Sequence, residues 1–142
     1  MTIESLMITE NEVVESVSSK LEEIGFKIIS KSNTVQKGID IYAINDEFEI
    51  MIEAKGGTTS KNTSKKGEPF DSSQVKNHIS VAILKAMQLK QKNSTARIGI
   101  ALPNDNKHRK VVDTVRKSLQ ILDIYLIWSD GKEVLIESST IK

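Results

Sequence analysis

Asp40 is followed, after a gap of twelve residues, by Glu53-Ala54-Lys55. A β-hairpin can bring two carboxylates and a lysine at this spacing together. Such a cluster can hold a hard divalent cation and steady an attacking water. That is the minimum equipment for cutting a phosphodiester bond, provided the rest of the chain builds the site.

The neighbouring elements must supply the geometry. Phe48 to Lys55 reads as a strand whose alternation puts Met51, Glu53 and Lys55 on one face and Ile50, Ile52 and Ala54 on the other. The second set is wholly apolar and belongs in a core. The first carries charge at the strand's end, where water can reach. A two-residue turn at Asn45-Asp46 pairs Ile44 with Glu47 and sets Asp40 opposite Met51. Glu53 is then the diagonal neighbour of Asp40 on the same face, roughly 7–8 Å away at the backbone. Two bare carboxylates leaning into that gap repel, and one would take up a proton. A shared divalent ion removes the repulsion, and an all-oxygen set that retains waters suits magnesium or manganese. Such an ion makes its water a better nucleophile and stabilises charge on a transition-state phosphate. Lys55 points the same way as Glu53, so it can orient the water or neutralise the developing charge.

Two helices flank the motif. Glu10 to Ile24 is amphipathic, with Val13, Val14, Val17, Leu21 and Ile24 at helical spacing. Thr9 and Glu12 have capping-box spacing, and Gly25 stops the helix. Glu10 lies in the middle of the apolar stripe and should face the sheet, either as an accessory acid or as a partner of the helix dipole. Ser72 to Gln91 is a second helix, with Val75, Ile79, Ala82, Ile83 and Ala86 inward. Gln74 and His78 lie four apart on one of its sides and could reach the site or a phosphate. Gln74 is the preferred candidate of the two, because a lone histidine beside an apolar stripe reads first as a packing residue.

The remaining elements are strands over Phe26 to Ser30, Ile39 to Ile44, Arg97 to Leu102 and Ile124 to Trp128, with a last short strand near Val134 to Ile136. A third helix runs from Lys107 to Leu122, with Val111, Val112, Val115, Leu119 and Leu122 inward. The order is α-β-β-β-α-β-α-β before that last strand. Three consecutive strands suggest an antiparallel meander, and the later alternation suggests parallel additions to the same sheet. An α/β fold follows, a mixed sheet with helices on both faces.

At 142 residues the chain suits a single domain, 1–142, with a polar basic loop at about 56–70. It has no cysteine, which excludes disulfides, thiolate zinc sites and a cysteine nucleophile. With no secretory signal and no apolar run of spanning length, a cytoplasmic protein without membrane association is expected. The net charge of +1 is uninformative about nucleic acid, but its distribution is not. Lys55, Lys61, Lys65 and Lys66 fall in a stretch with no acid, and Lys107, His108, Arg109 and Lys110 open the third helix. Such patches can neutralise phosphates, although each taken alone reads first as solvated surface. Gly56-Gly57-Thr58-Thr59-Ser60-Lys61 lacks the Gly-Lys-Ser/Thr ending of a phosphate loop.

Gly38-Ile39-Asp40, Glu53-Ala54-Lys55, the preceding acidic helix and the following helix with its glutamine resemble the PD-(D/E)xK nuclease superfamily. The resemblance spans roughly residues 10 to 102. It implies a restriction-endonuclease-like αβββαβ core. It also implies Asp40 and Glu53 as metal ligands with the Ala54 carbonyl assisting, Lys55 as catalytic lysine, Glu10 as first-helix acid and Gln74 as second-helix residue. Ile39 stands where the family's name has proline. The expected activity is metal-dependent hydrolysis of phosphodiester bonds, most readily in DNA, with Lys61, Lys65 and Lys66 over the backbone. A homodimer or a further subunit would supply selectivity that so short a chain lacks. The alternative is a nuclease-fold module that binds DNA or a partner protein without cutting. A structural ion-pair cluster in an unrelated domain is the third reading, and exposed pairs of that kind contribute little stability.

Overall fold

The computed structural model describes residues 8–32, 38–58 and 69–137. Six strands form one sheet in chain order. They are β1 (Lys27–Lys31), β2 (Ile41–Ile44), β3 (Glu49–Ala54), β4 (Arg97–Pro103), β5 (Ile124–Ser129) and β6 (Val134–Glu137). The first three form an antiparallel meander, β3, β4 and β5 run parallel, and β6 returns antiparallel. Helix α1 (Glu10–Glu23) precedes the sheet, α2 (Ser72–Lys92) connects β3 to β4, and α3 (Asn106–Asp113) with α4 (Arg116–Ile121) connects β4 to β5. The expected mixed sheet, the helices on both faces and the αβββαβ order are all present.

Helix α1 starts where its sequence says it should. Thr9 Oγ1 accepts from the Glu12 N–H at 3.2 Å, and Glu12 Oε1 accepts from the Thr9 N–H at 2.7 Å. Its buried stripe, Val13, Val14, Val17 and Leu21, packs on Ile41, Ala43, Ile50, Ile52 and Ala54. Ile24, expected to point inward, caps the helix and is half exposed. On the opposite face, Val75, Ile79, Ala82 and Ala86 of α2 pack on Met51, Ile98, Ile100 and Leu102. Strand β3 is therefore covered from both sides, as the parallel centre of an α/β sheet must be.

Three local features differ from expectation. The β2–β3 connection is a four-residue loop, because Asn45 Oδ1 accepts from the N–H groups of Glu47 and Phe48 at 2.8 and 2.7 Å. Ile44 consequently pairs with Glu49 instead of Glu47. Second, β1 carries a bulge at Ile29, since Ile28 pairs with Ala43 and Ser30 with Tyr42. Third, the helix expected over Lys107 to Leu122 is broken into α3 and α4. The Thr114 hydroxyl donates back to the Val111 carbonyl at 2.6 Å, and Val115 leaves helical geometry at φ −131°. The break turns Leu122 outward.

Candidate active site

The longer loop changes how Asp40 and Glu53 meet. The last β2–β3 pair is Ile41 with Ile52, so one more step sets Asp40 directly opposite Glu53. The expected pairing of Asp40 with Met51, which made Glu53 a diagonal neighbour, is thus off by two residues. A slip of two preserves the face of every side chain, and for that reason the two acids still point the same way. Directly opposed residues have Cβ atoms about 4.5–5.5 Å apart, closer than the diagonal arrangement.

Asp40 is held on both oxygens. Oδ1 accepts from the Ser32 hydroxyl at 2.8 Å and Oδ2 from the Ala54 N–H at 2.8 Å. The bulge at Ile29 makes the first bond, because it advances β1 by one residue and brings Ser32 to Asp40, whose carbonyl also accepts from the Ser32 N–H at 2.8 Å. In an extended strand the N–H and C=O of one residue share an edge. The Ala54 carbonyl therefore leaves β3 toward Asp40. On the other edge, the Lys55 N–H donates to Ala101 at 3.0 Å, and the next ladder donor position on β4 is Pro103, which has no N–H. The sheet stops pairing where the charged groups begin.

Glu53 is only 3% exposed, against the expectation that water reaches it freely. Among the described residues, its Oε1 has no hydrogen-bond partner. Lys55 Nζ lies 3.8 Å from Oε2, and Lys85 Nζ of α2 lies 3.7 Å from Oε1, so both ammonium groups neutralise charge from beyond hydrogen-bond length. Burial and the facing Asp40 push the Glu53 carboxyl up to about 7, against the pull of Lys85 and Lys55. Glu10 belongs to the same field. Burial, then the Asp40 charge, raises it above the ordinary carboxylate value, while Lys55 and Lys85 pull it down.

Glu10 reaches this field because the chain after β3 runs along the start of α1. Gly57 N–H donates to Ile8 at 2.9 Å, and Thr58 bridges to Thr9 in parallel. A Cβ on Gly56 would lie 2.3 Å from the Glu10 nitrogen and 2.7 Å from the Thr9 carbonyl carbon, so only glycine permits the approach.

A divalent cation suits these groups on physical grounds. Among the described residues, a buried carboxylate oxygen lacks a hydrogen-bond partner, two acids face each other, and no cation sits at hydrogen-bond distance from Glu53. Among the described residues, no three acid or histidine side chains close into a ready-made cage. Asp40 and Glu53 form a pair, with the Ala54 carbonyl beside them and Glu10 further out. A cation that retains several waters needs no more from the protein.

Gln74 is not brought to this pair. Its Oε1 accepts from the Asp71 N–H at 2.9 Å and its N–H donates to Asp71 Oδ1 at 2.8 Å, a capping box that occupies it at the exposed start of α2. His78 lies nearer the site than Gln74. It feels the charges of Lys55 and His108 and stacks edge-on against Phe70 at 4.5 Å. Burial, followed by those two charges, lowers its pKa. Lys85 is the residue that sequence reasoning missed. It stands seven residues, two helical turns, past His78, on the same flank of the apolar stripe, and that spacing was the available signal. Lys61, Lys65 and Lys66 lie outside the described residues.

The second basic cluster is partly engaged within the fold. His108 is 1% exposed with Nδ1 on both Asp105 oxygens at 2.8 and 3.0 Å. Arg109 lies over the Trp128 ring at 4.4 Å, and Lys107 donates to the Phe70 carbonyl at 3.0 Å. Nor is any described helix long and apolar enough to cross a membrane.

No family model and no curated protein matches the chain. Solved structures do. An XisH family protein from Nostoc punctiforme overlays with a TM-score of 0.52 at 16% identity, over 84% of this chain and 91% of its own. An fdxN element excision controlling factor protein from Anabaena variabilis overlays with a TM-score of 0.53 at 15% identity, over 92% and 98%. At such identities the likeness is one of fold, and it runs the length of both partners: this chain has the α/β fold of those two proteins.

Proposed function

We propose that the chain is a metal-dependent phosphodiesterase acting on DNA. The observation that carries this reading is Glu53, buried, with one oxygen unpartnered, facing Asp40 and flanked by Lys55. Asp40 and Glu53 would hold magnesium or manganese, with the Ala54 carbonyl assisting and Glu10 as an accessory acid. When bound, the cation supplies positive charge at the phosphate and a more acidic water. Ser32 and the Ala54 N–H fix the Asp40 carboxylate, so the ligand pair needs no rearrangement. Lys55 orients the attacking water against the phosphorus, then faces the negative charge that grows on the phosphate oxygens. The P–O bond opposite the attack breaks, the attacking water gives up a proton to solvent, and the leaving oxygen takes one from solvent. Lys61, Lys65 and Lys66 supply the basic stretch that would follow the DNA backbone. The excision control named for one protein of like fold is a DNA process, which favours DNA over other phosphodiesters.

A second reading has its own support. With no three-ligand cage among the described residues, the fold could bind DNA or a partner protein without cutting. Cleavage of plasmid and oligonucleotide substrates with magnesium, manganese or EDTA separates the two. Metal-dependent cutting lost in Asp40→Ala and Lys55→Ala supports the enzyme. Metal-independent DNA binding, no cutting, and Asp40→Asn without effect on binding would leave the module. A homodimer or added subunit, the proposed source of selectivity, is read by sedimentation with and without DNA.

A further inference from the structure

Glu53 is flanked by two lysines, and only Lys55 belongs to its own strand. Lys85 comes from the middle of α2. Its Nζ lies 3.7 Å from Glu53 Oε1, the oxygen without a hydrogen-bond partner, and donates to the Gly38 carbonyl at 3.4 Å. Gly38 has φ +117°, a conformation that glycine adopts readily and that aims this carbonyl. Both holds on the ammonium are long.

The stem of Lys85 tells the rest. Its side chain is 41% exposed, whereas that of Glu53 is 4% exposed. The anchors of α2 are Val75, Ile79, Ala82 and Ala86, so the helix stays in place whatever Lys85 does. A flexible chain rooted near the surface, with its head in the site, can leave without disturbing the core. Lys55 is different. It faces the other Glu53 oxygen, is 21% exposed, and remains beside Glu53 because both belong to one strand end.

Resting on the metal site proposed above, we infer that Lys85 is an exchangeable counter-ion. In the metal-free protein its ammonium neutralises the buried Glu53 oxygen. A divalent cation between Asp40 and Glu53 repels that ammonium and takes over its role. The displaced head group turns outward, where it contacts a phosphate of the bound DNA. Lys85 thus competes with the metal and then serves the substrate.

The exchange predicts two opposite effects of one substitution. Lys85→Met should bind manganese about three- to tenfold more tightly, since an ion pair of modest strength no longer has to be given up. The same variant should bind a short DNA duplex more weakly in calcium, with the slope of log affinity against log salt reduced by about one, the loss of one phosphate contact. In EDTA, where Lys85 is occupied, its DNA binding should match the wild type. Calorimetric titration with manganese and fluorescence anisotropy with the duplex give these readouts. Thermal unfolding confirms that the variant is folded, and Lys85→Gln repeats the comparison.

Asp40→Asn separates the two levels. If it abolishes manganese binding while Lys85→Met binds no more tightly than wild type, the metal site stands and the exchange is wrong. If Asp40→Asn binds manganese as well as wild type, or the wild type binds none, the metal site itself is wrong and the exchange falls with it. Tighter metal binding by Lys85→Met with an unchanged salt slope in calcium would overturn the outward turn to phosphate.

Discussion

Glu53 near the end of β3 and Glu137 at the end of β6 carry the same functional group to opposite ends. Glu137 is saturated. One oxygen accepts from Arg116, the other from the Trp128 indole N–H at 2.7 Å, and Arg109 stands 3.9 Å away while stacking on the same Trp128. Asp113 completes the set by binding Arg116 at 2.8 Å. Both Glu137 oxygens have donors, and the network pins β6 to α3 and α4. Glu53 is more deeply buried, yet one oxygen is unpartnered and both lysines stand off. A fully paired carboxylate holds structure together. An incompletely paired one, kept in a more costly place, is what the proposed metal site requires.

The largest expected difference between the two clusters is in catalysis. Asp40→Ala and Lys55→Ala should each lower metal-dependent DNA cleavage by about a thousandfold or more, equivalent to about 4 kcal/mol. Glu137→Ala, with folding intact, should leave the cleavage rate within a few fold. A large loss from Glu137→Ala in a folded protein would mean the clusters are not functionally distinct.

Next in size is a contrast in stability, read by urea unfolding in EDTA across pH. The Glu53 carboxyl holds its proton to about 7 in the folded protein, against 4.5 ordinarily. Between these values the folded state binds more protons than the unfolded one, so wild-type stability falls as pH rises through 7. Glu53→Gln removes this loss. It should be nearly neutral at pH 4 and stabilise by up to about 3 kcal/mol at pH 8. Added magnesium should offset the same loss in wild type and do little for the variant. Glu137→Gln should act in the opposite direction, destabilising by about 1–2 kcal/mol at neutral pH through the lost ion pair with Arg116. If both glutamine variants moved stability the same way, the contrast would fail.

The smallest effect concerns support for the proposed ligand pair. Ser32→Ala removes a buried hydrogen bond to Asp40 and should cost about 1 kcal/mol of stability. A several-fold weaker manganese affinity in titration would accompany it, because Asp40 then has one fixed oxygen in place of two.

Much of this was legible in the sequence. Capping at Thr9, the stripe from Val13 to Leu21 and the alternation of β3 depend on neighbours a few residues apart, and local physics decides them. Asp40 and Glu53 were placed on one face for the same reason. The register between them was not legible, because it depended on Asn45 capturing two N–H groups and lengthening the turn. Lys85 is hard to read because its partners Glu53 and Gly38 are distant in sequence, and its spacing from His78 in α2 is a weak signal without them. Gln74 fits the resemblance by residue type, whereas Asp71 three residues earlier engages it in a cap, a competition that residue type alone does not show. The break at Thr114 turned on one hydroxyl bonding back to its own helix, a choice that periodicity cannot see.

The bulge in β1 makes strand length an electrostatic variable. Ile29 is the residue that lets Ser32, and not Lys31, reach Asp40. Inserting one residue between Ser30 and Lys31, with the bulge kept, would set Lys31 opposite Asp40 and present an ammonium to the proposed metal ligand where a hydroxyl stands now. A change of length in a peripheral strand, leaving every site residue intact, would then act on the site as a charge substitution. Manganese affinity of the insertion variant reads that conversion directly, and a value equal to wild type would show that the strand absorbs the extra residue in its bulge and keeps Ser32 at Asp40.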